Sequence, residues 1–494
     1  MGLRVHGPIG HYWYVVQQAN TRPTGAVAPE RLRSLLADWS DAAHGTLAQQ
    51  LAHGLRRAVR SGLLADDTRL PAERVLAEAL SVSRSTVSAA LDELRADGTI
   101  ESRQGSGTVV RSRHAHASPG TRIAEHFSGS PGIDLAAGNP PDPSHLPPIS
   151  LDVADLLASG GGPGVQPLGL PALRAALAER HGETGRLTDV DQIHVTAGAH
   201  QAIALAVGAL GGPGRTVAVE DTSYPGIFDI IDAIGARPVP VACDRGGLLP
   251  EHLDRALTEH RPPVLYVQSG PHNPVGRVPA PGRLRALAEV LDRHDTVVVE
   301  DCALAELTFE GRVRPELADL CRRAVVVSVG SFSKVAWAGL RIGWLRAPAP
   351  LVERTMYLRL ANDLGPSVPA QLLALQLLPH IDALAERRRS ELSANVERAV
   401  ARLRSDLPDW SVVEPAGGSV LWAELPVPDA GAFVLLATRH GVHVAPGSIA
   451  TPARTPDPHV RICVDRPWPT VEEGIHRLRE AWRELDAAPR AVLG

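Results

Sequence analysis

The segment SVGSFSKVAWAGLRIGW, residues 328–344, is the most informative part of this sequence for its fold. The segment starts as an apolar run and then contains Lys334, the only lysine among the 494 residues. All the other basic residues in the lysine and arginine total are arginines. An excess of Ala, Arg, Gly and Pro is typical of GC-rich coding and explains why lysine is rare. It does not explain why one lysine remains at this position.

The retained lysine indicates a specific chemistry. A lysine amine can lose its proton and form a Schiff base with an aldehyde, which a guanidinium cannot do in practice. Lys334 is therefore a candidate for covalent attachment of an aldehyde cofactor, and pyridoxal 5′-phosphate is the usual one. The alternative is a surface lysine that has escaped replacement.

Composition limits the class of protein. A chain of 494 residues is long enough for about three domains, and 44% hydrophobic with 21% charged residues is typical of a soluble globular protein. We find no apolar run of about 18 residues and no signal peptide, so we expect a cytoplasmic protein with no membrane partner. Four scattered cysteines favour a reducing compartment and indicate neither disulfides nor a metal site. A net charge of −5 means that any nucleic-acid binding must be local.

Four segments of different character follow one another. Residues 1–43 form an N-terminal extension that we expect to be partly disordered. Residues 44–111 read as a compact helical unit ending in two short strands, and 112–132 as a linker rich in Ser, His, Gly and Pro. From 133 to 485, apolar runs such as TVVVED (296–301) alternate with helical segments. This alternation predicts an α/β domain with a mainly parallel sheet, followed by a smaller α+β lobe.

The helical unit has the element order of a winged helix-turn-helix. Helices are predicted over 46–64, 70–80 and 81–98, followed by a hairpin over 99–110. Ser83 is the predicted N-cap of the third helix. That order is the one in which the third helix reads DNA and the hairpin forms the wing.

Polar residues cluster where such a unit contacts DNA. Arg84, Ser85 and Thr86 begin the third helix and suit phosphates and guanine, and Arg103, Gln104 and Gly105 lie at the wing. Ten arginines against eight acidic residues over 44–113 is only a small positive excess. A small helical domain used for packing or dimerisation is the alternative.

The segment LPAERVLAEALSVSRSTVSAALDELRADGTIESRQGSGTVV, residues 70–110, resembles the DNA-binding domain of the GntR superfamily. This resemblance implies binding to a double-stranded DNA operator. Carried over by position, it implies DNA contacts from Arg74, Ser83, Arg84, Ser85, Thr86 and the wing around Gly105. Ser88 stands where many relatives have arginine, so one phosphate contact of the family lacks its usual side chain here.

A pyridoxal phosphate site also needs partners for the two charged groups of the cofactor, the ring nitrogen and the phosphate. The ring nitrogen needs a carboxylate, and Asp301 ends an apolar strand where a parallel sheet presents side chains to a ligand. A strand-end turn residue is the alternative for Asp301. The phosphate needs donors and positive charge. Candidates are the helix start at Gly198, Ala199 and His200, the two serines flanking the lysine, Ser331 and Ser333, and Arg341.

The cofactor ring needs two more partners. Tyr224 is a candidate for stacking on the ring face, and Asn273 for donating to the phenolic oxygen. Taken alone, Tyr224 is as well explained as a core residue and Asn273 as a turn residue.

The order of these residues along the chain resembles that of the fold-type-I aminotransferases over about 133–485, with HNPVG and SFSK as the most specific segments. The resemblance implies that Lys334 and Asp301 are the catalytic pair and that Arg461 binds a substrate α-carboxylate. A surface strand arginine is the alternative for Arg461.

The chain departs from this family at two places. Cys302, Ala303 and Leu304 follow Asp301 where a tyrosine usually stands. Gly164 and Val165 stand where a tyrosine often reaches the partner subunit's phosphate. We expect cofactor binding to survive both changes, whereas efficient turnover is less expected.

A GntR-type unit joined to an aminotransferase-like domain resembles the MocR-type transcriptional regulators. The resemblance implies a sensor in which an amine, an amino acid or pyridoxal phosphate itself changes the internal aldimine at Lys334 and thereby DNA affinity. It also implies a head-to-tail homodimer. Two alternatives stay open: an active aminotransferase with a DNA-binding appendage, and a vestigial scaffold that binds DNA constitutively.

Overall fold

The computed structural model describes residues 46–60, 68–96, 99–103, 107–110, 121–124, 132–140, 142–152, 164–183, 185–311 and 316–487, with single residues at 29, 32, 33, 36, 64, 154, 156 and 158. The chain divides into two compact units, Met1–Gly120 and Thr121–Gly494. The predicted disorder at the N-terminus and the predicted boundaries near 43, 111 and 132 lie in or beside segments outside the described residues, and they stay predictions.

The first unit is a winged helix-turn-helix. Its elements are α1 (Leu47–Arg60), α2 (Glu73–Leu80), α3 (Arg84–Ala96), β1 (Ile100–Arg103) and β2 (Gly107–Val110). The two strands pair antiparallel, with Ile100 opposite Val110. The predicted order of helices and wing is therefore confirmed.

The small core of the first unit is built from the apolar stripes of its helices. Leu51, Leu76 and Leu91, one from each helix, are fully buried in one cluster. Leu32 and Leu36, from the N-terminal extension, are buried in the same cluster. Part of the extension thus packs with the winged helix-turn-helix unit.

The second unit contains the remaining elements. In chain order they are β3 (Ile133–Asp134), α4 (Pro171–Glu183), β4 (Ile193–Thr196), α5 (Ala199–Leu210), β5 (Thr216–Glu220), α6 (Pro225–Ala233), β6 (Arg237–Val241), β7 (Cys243–Asp244), β8 (Gly247–Leu248), α7 (Pro250–His260), β9 (Val264–Gln268), α8 (Pro281–Leu291), β10 (Val297–Asp301), α9 (Leu317–Leu320), β11 (Val326–Ser331), β12 (Gly343–Arg346), α10 (Ala349–Asn362), α11 (Val368–Leu377), α12 (Ile381–Asp406), β13 (Ser411–Val413), β14 (Val420–Glu424), α13 (Gly431–Arg439), β15 (Val442–His443), β16 (Ala445–Pro446), β17 (His459–Cys463) and α14 (Trp468–Ala487).

Seven strands form a mixed, mainly parallel sheet in the order β4-β12-β11-β10-β9-β5-β6. Strands β11, β10, β9, β5 and β6 run parallel, and β12 is antiparallel to both of its neighbours. The register places Asp301 opposite Val329 on β11 and Gln268 on β9. The carboxyl ends of three neighbouring strands therefore meet at one edge of the sheet.

Helices cover both faces of this sheet. Because successive side chains of a strand point to opposite faces, Val217 and Val219 pack with α5 and α6 while Ala218 packs with α7 and α8. Strands that are buried on both faces need near-continuous apolar runs, which is why TVAVE and VLYVQ contain so few polar residues.

The C-terminal lobe is an antiparallel sheet in the order β13-β14-β17-β16, packed against α12, α13 and α14. Trp422 on β14 lies opposite Arg461 on β17. Strand β3, which opens the second unit, pairs with β15 of this lobe.

Residues 368–406, which include α11 and α12, are the only described stretch whose length and composition would suit a membrane-spanning helix. Leu377, Leu384 and Leu392 of this stretch are buried in the core with α4. The stretch is therefore explained as core helices.

Candidate functional site

A cleft of about 490 Å³ lies at the carboxyl ends of the parallel strands. Every residue that the sequence predicted for the cofactor or the substrate carboxylate lines it, except Gly198, which immediately precedes two lining residues. The predicted residues that line the cleft are Ala199, His200, Tyr224, Asn273, Asp301, Ser331, Ser333, Lys334, Arg341 and Arg461.

Lys334 follows β11, and its amine is held by the segment that comes just after β3. Nζ donates to the carbonyl oxygen of Gly138 at 2.7 Å and to Oδ1 of Asn139 at 2.8 Å. Burial, followed by the positive charge of Arg461, lowers the pKa of Lys334 to about 8. The lower pKa increases the fraction of neutral, nucleophilic amine near neutral pH.

Asp301 ends β10, and two donors orient its carboxylate. Tyr266 Oη donates to Oδ2 at 2.7 Å, and the backbone N–H of Ala303 donates to Oδ1 at 2.9 Å. Burial raises the pKa of Asp301, while these two hydrogen bonds and the charge of Lys334 act in the opposite direction. Each oxygen can still accept another hydrogen bond, such as one from a protonated ring nitrogen.

Asn273 and Arg461 are bonded to each other. Arg461 Nε donates to Oδ1 of Asn273 at 2.9 Å, which directs the amide NH₂ of Asn273 elsewhere. Gln268 holds the backbone of Asn273 by accepting from its N–H at 2.9 Å and donating to its carbonyl at 3.1 Å. The side-chain NH₂ of Asn273 is thereby preorganised as a donor.

Arg461 is buried on β17, and Nη1 donates to the carbonyl oxygen of Ala136. A Cβ at residue 138 would lie 2.7 Å from Nη2 of Arg461, so a larger residue there would displace the guanidinium. Burial lowers the pKa of Arg461 from its ordinary value. A guanidinium in this position suits a carboxylate bound in two-point fashion.

The start of α5 is an anion-binding candidate. The first N–H groups of a helix have no partner within the helix, so those of Ala199 and His200 can face an anion. Arg341 Nη2 donates to the carbonyl oxygen of Ala197 at 2.6 Å. Gly198 has a φ of +91°, and a Cβ there would lie 3.1 Å from Arg341 Nη2. This glycine lets positive charge approach the helix start.

The hydroxyls beside the lysine complete this side of the cleft. The backbone N–H of Ser333 donates to Oγ of Ser331 at 3.1 Å, and both residues line the cleft. Together with Arg341 and the start of α5, they form a donor set that suits a phosphate.

Tyr224 lies at the N-cap position of α6 and presents its ring to the cleft. Its Oη is 3.2 Å from Nδ1 of His200, and the two rings meet edge to face with centroids 6.2 Å apart. Burial raises the pKa of Tyr224 and lowers that of His200, so both side chains are neutral at pH 7.

The arrangement suits pyridoxal phosphate by the chemistry of its groups. It offers an amine of lowered pKa, a carboxylate, a flat aromatic ring, an amide donor and an anion-binding helix start. Each of these matches one part of the cofactor: aldehyde, ring nitrogen, ring face, phenolic oxygen and phosphate.

The two departures from the aminotransferase pattern are visible in the structure. Ala303 and Leu304 line the cleft without offering a hydroxyl, whereas Cys302 is buried with Sγ 3.7 Å from Oε2 of Glu316. Val165 is exposed over 47% of its surface and carries no phenol. The residues that line the cleft directly after Asp301 therefore offer no phenol hydroxyl.

Several site residues were missed from the sequence. Tyr266, Gln268 and Asn139 orient the predicted residues, and Ile123 lines the cleft. Tyr266 carries a usable signal, because a tyrosine inside a buried strand needs a partner for its hydroxyl and lies two residues before the strand end. Asn139 gives no such signal, because it lies 195 residues before Lys334.

In the first unit, the predicted DNA-contacting side chains of Arg74, Ser83, Arg84 and Ser85 are exposed, and Thr86 is half-buried. Ser83 Oγ accepts from the backbone N–H of Thr86 at 3.0 Å, which confirms the predicted N-cap. Gln104, Gly105 and the side chain of Arg103 lie outside the described residues.

Arg84 is 74% exposed, and its Nε lies 3.8 Å from a carboxylate oxygen of Glu73. Such an exposed pair is weak, so the Arg84 guanidinium stays accessible at the protein surface.

Two sequence families match the chain in separate regions. Aminotransferase class I and II matches residues 130–478, and the gntR family of bacterial regulatory proteins matches residues 47–110. The matched regions contain the two compact folds described above.

Individual relatives include both regulators and an enzyme. The HTH-type transcriptional regulator YdcR of Escherichia coli is 30% identical, over 81% of this chain and 91% of its own. The probable rhizopine catabolism regulatory protein MocR of Rhizobium meliloti is 30% identical, over 74% of this chain and 79% of its own. The arginine–pyruvate transaminase AruH of Pseudomonas aeruginosa is also 30% identical, over 75% of this chain and 93% of its own.

Solved structures resemble the second unit. The α-aminoadipate aminotransferase LysN of Thermus thermophilus, complexed with N-(5′-phosphopyridoxyl)-L-leucine, matches with a TM-score of 0.67 and 25% identity. The match covers 76% of this chain and 98% of LysN. A GntR-type domain precedes an aminotransferase class I/II domain, and known transcriptional regulators match the chain over both domains. The chain therefore belongs to the MocR-type transcriptional regulators.

Proposed function

We propose that the aminotransferase-like domain of this regulator binds pyridoxal phosphate through Lys334 and senses an amine, an amino acid or the cofactor itself. The observation that carries the proposal is the position of the only lysine of the chain. It lies in the cleft with Asp301 and Arg341, and its pKa is lowered to about 8. A lysine left over by coding bias has no reason to be half-buried among these partners.

Each side chain has a role in this proposal. When bound, pyridoxal phosphate supplies an electrophilic aldehyde on an electron-withdrawing ring. Lys334 supplies the nucleophilic amine, and Gly138 and Asn139 hold that amine in place by accepting its hydrogen bonds. Asp301, oriented by Tyr266, would accept a hydrogen bond from the protonated ring nitrogen. The phosphate would be held by Arg341, Ser331, Ser333 and the start of α5.

Arg461 gives the sensor a way to register an effector. Its guanidinium is bonded to the backbone carbonyl of Ala136 and to Asn273. An effector carboxylate that binds Arg461 must compete with these contacts, and an effector amine must compete with Lys334. The effector therefore changes which contacts hold residues 136–139, and a ligand shifts an equilibrium only through such differential contacts.

The first experiment is reduction with borohydride in the presence of pyridoxal phosphate, followed by mass spectrometry of the Lys334 peptide. We expect a phosphopyridoxyl adduct at Lys334 in the wild type and none in Lys334→Arg, which keeps the charge but lacks the nucleophile. An unmodified wild-type peptide refutes the proposal and leaves the constitutive scaffold as the better description.

DNA binding is the output of the proposed sensor. Fluorescence anisotropy with a DNA fragment selected from a random pool would compare the affinity of the wild type with and without pyridoxal phosphate and amino acids. We expect the ligand to change the affinity, and a wild type indifferent to every ligand contradicts sensing even when the cofactor binds.

A catalytically active aminotransferase is the second candidate, because the predicted site residues converge in one cleft and AruH is a relative of similar identity. Efficient turnover is not favoured, because Leu304 lines the cleft near the place where aminotransferases usually have a tyrosine. Incubation of the holoprotein with amino acids and a keto acid separates the two candidates: sustained exchange supports the enzyme, and a spectral change without turnover supports the sensor.

We also propose a cytoplasmic location and a head-to-tail homodimer. The match of residues 47–110 to a family of bacterial regulatory proteins supports the location. Val165 and Leu364 support self-association, because both are about half exposed and their neighbours Gln166 and Gly365 are in close backbone contact. Light scattering of the purified protein would measure the mass, and a monomer would contradict the dimer.

A further inference from the structure

We infer that residues 121–124, here called the strap, transmit the state of the effector cleft to the preceding residues of the linker. In this inference Ile123 contacts the molecule bound in the cleft, and Arg122 is the positioning residue that holds the strap in place. The inference rests on the proposed function of the cleft and assigns a role to residues that the sequence predicts only as part of a linker.

The strap has a position suited to this role. Thr121 begins the second compact unit, and residues 111–120 connect it along the chain to β2 of the DNA-reading unit. Ile123 is half-buried and lines the same cleft as Lys334 and Tyr224. The segment nearest in sequence to the DNA-reading unit thus contributes a wall of the effector site.

Asp229 clamps the backbone of the strap. Its Oδ1 accepts from the N–H of Arg122 at 2.8 Å, and its Oδ2 accepts from the N–H of Ile123 at 3.0 Å. Asp229 lies on α6, the helix that begins directly after Tyr224. The strap is therefore tied to the element that presents the ring-stacking candidate to the cleft.

The side chain of Arg122 joins two parts of the second unit. The guanidinium is 4.4 Å from the ring centroid of Phe228 on α6, and only 4% of the residue is exposed. It donates to the carbonyl oxygens of Thr451 at 2.7 Å and Pro452 at 2.8 Å. These carbonyls belong to the segment between β16 and β17 in the C-terminal lobe.

The contacts of Arg122 therefore depend on the distance between α6, which packs on the large sheet, and the C-terminal lobe. β17 carries Arg461, the candidate carboxylate clamp, and α6 follows Tyr224. A ligand that binds Arg461 and packs against Tyr224 contacts β17 and the start of α6, and Arg122 is held by α6 and by the segment that leads into β17. Hydrogen bonds from a charged donor depend strongly on geometry, so a change in this spacing alters the hold on the strap.

Hydrogen–deuterium exchange of the full-length protein tests the inference directly. The readout is the exchange of the Arg122 and Ile123 amides with and without saturating pyridoxal phosphate, in samples whose label at Lys334 is verified by borohydride reduction. We expect slower exchange with the cofactor, because an occupied cleft covers Ile123 and excludes water from its wall. A labelled Lys334 with unchanged exchange at the strap overturns this inference alone, whereas an unlabelled Lys334 overturns the proposed function.

A matched pair of variants separates signalling from simple packing. Arg122→Gln removes the charged bridge. Arg283→Gln is the control, because Arg283 also donates to backbone carbonyls, those of Gly247 and Leu248, but lies on α8, outside the strap. The ratio of DNA dissociation constants with and without pyridoxal phosphate plus the common amino acids should fall toward 1 in Arg122→Gln. It should stay at the wild-type value in Arg283→Gln.

The affinity of Arg122→Gln for DNA without ligand should remain within about twofold of the wild type, because Arg122 is not in the DNA-reading unit. A wild-type ratio in Arg122→Gln overturns the inference. If Arg122→Gln does not fold, Asp229→Asn weakens the backbone clamp with minimal change of shape and must show the same loss of ligand response.

Discussion

The pH dependence of cofactor attachment is the sharpest consequence of the site geometry. Only the neutral amine of Lys334 can attack an aldehyde. With a pKa of about 8, about one molecule in ten is neutral at pH 7, whereas the ordinary value of 10.5 would leave about three in ten thousand. The burial of Lys334 and the charge of Arg461 therefore raise the reactive fraction by about 300-fold at that pH.

Stopped-flow absorbance of the apoprotein mixed with pyridoxal phosphate measures this fraction. The rate constant should rise about tenfold per pH unit below pH 8 and level off above it, since the neutral fraction then approaches one. Arg461→Gln removes a charge that lowers the pKa of Lys334, so the pKa must rise and the plateau must move to higher pH.

Arg283→Gln serves as the control, because Arg283 is not among the groups that shift the pKa of Lys334. Its profile should overlay that of the wild type. A wild-type midpoint near the ordinary lysine value would refute the reasoning. So would an Arg461→Gln profile that is unchanged or displaced to lower pH.

Three further predictions concern other parts of the molecule. Tyr266→Phe removes a hydrogen bond to Asp301 that lowers the pKa of this carboxyl against the effect of burial. The binding free energy of pyridoxal phosphate should therefore weaken by about 1 kcal/mol in a fluorescence titration. Unchanged affinity would show that Tyr266 does not orient Asp301. Ser83→Ala removes the N-cap of α3 and should lower the free energy of unfolding of the first unit by about 1 kcal/mol, as measured by hydrogen exchange of α3. Ser88→Arg restores the arginine usual in the family and should make the slope of log affinity for DNA against log salt steeper by about 1, an effect that a Ser88→Gln control must lack.

Much of the candidate site was predictable because its residues stand out by residue type or by their place at the end of a predicted strand or the start of a predicted helix. Lys334 stands out by its residue type alone, Asp301 by its place at the end of an apolar strand, and Gly198 by its place before an apolar helix. A parallel sheet brings strand ends to one edge, so residues at several strand ends predict one site before any contact is known. The winged unit was predictable for the same reason, since its caps and turns are short-range features.

The orienting contacts were not predictable in this way. Asn139 meets Lys334, Tyr266 meets Asp301, and Arg122 meets the carbonyl of Thr451 across 195, 35 and 329 residues of chain. None of these pairs leaves a periodic or spacing signal, because each depends on strand order and on the packing of the C-terminal lobe against the large sheet.

The sequence by itself determined which reactions this chain can support, because the reactivity of an amine, a carboxylate or a guanidinium belongs to the side chain. It also determined the order of helices and strands, since periodicity and caps act over a few residues. Only the tertiary structure decided that Lys334 is half-buried beside Arg461, with a pKa of about 8, and that the strap contacts two lobes. Desolvation and charge–charge interaction depend on distances in space, and those distances exist only after the chain has folded.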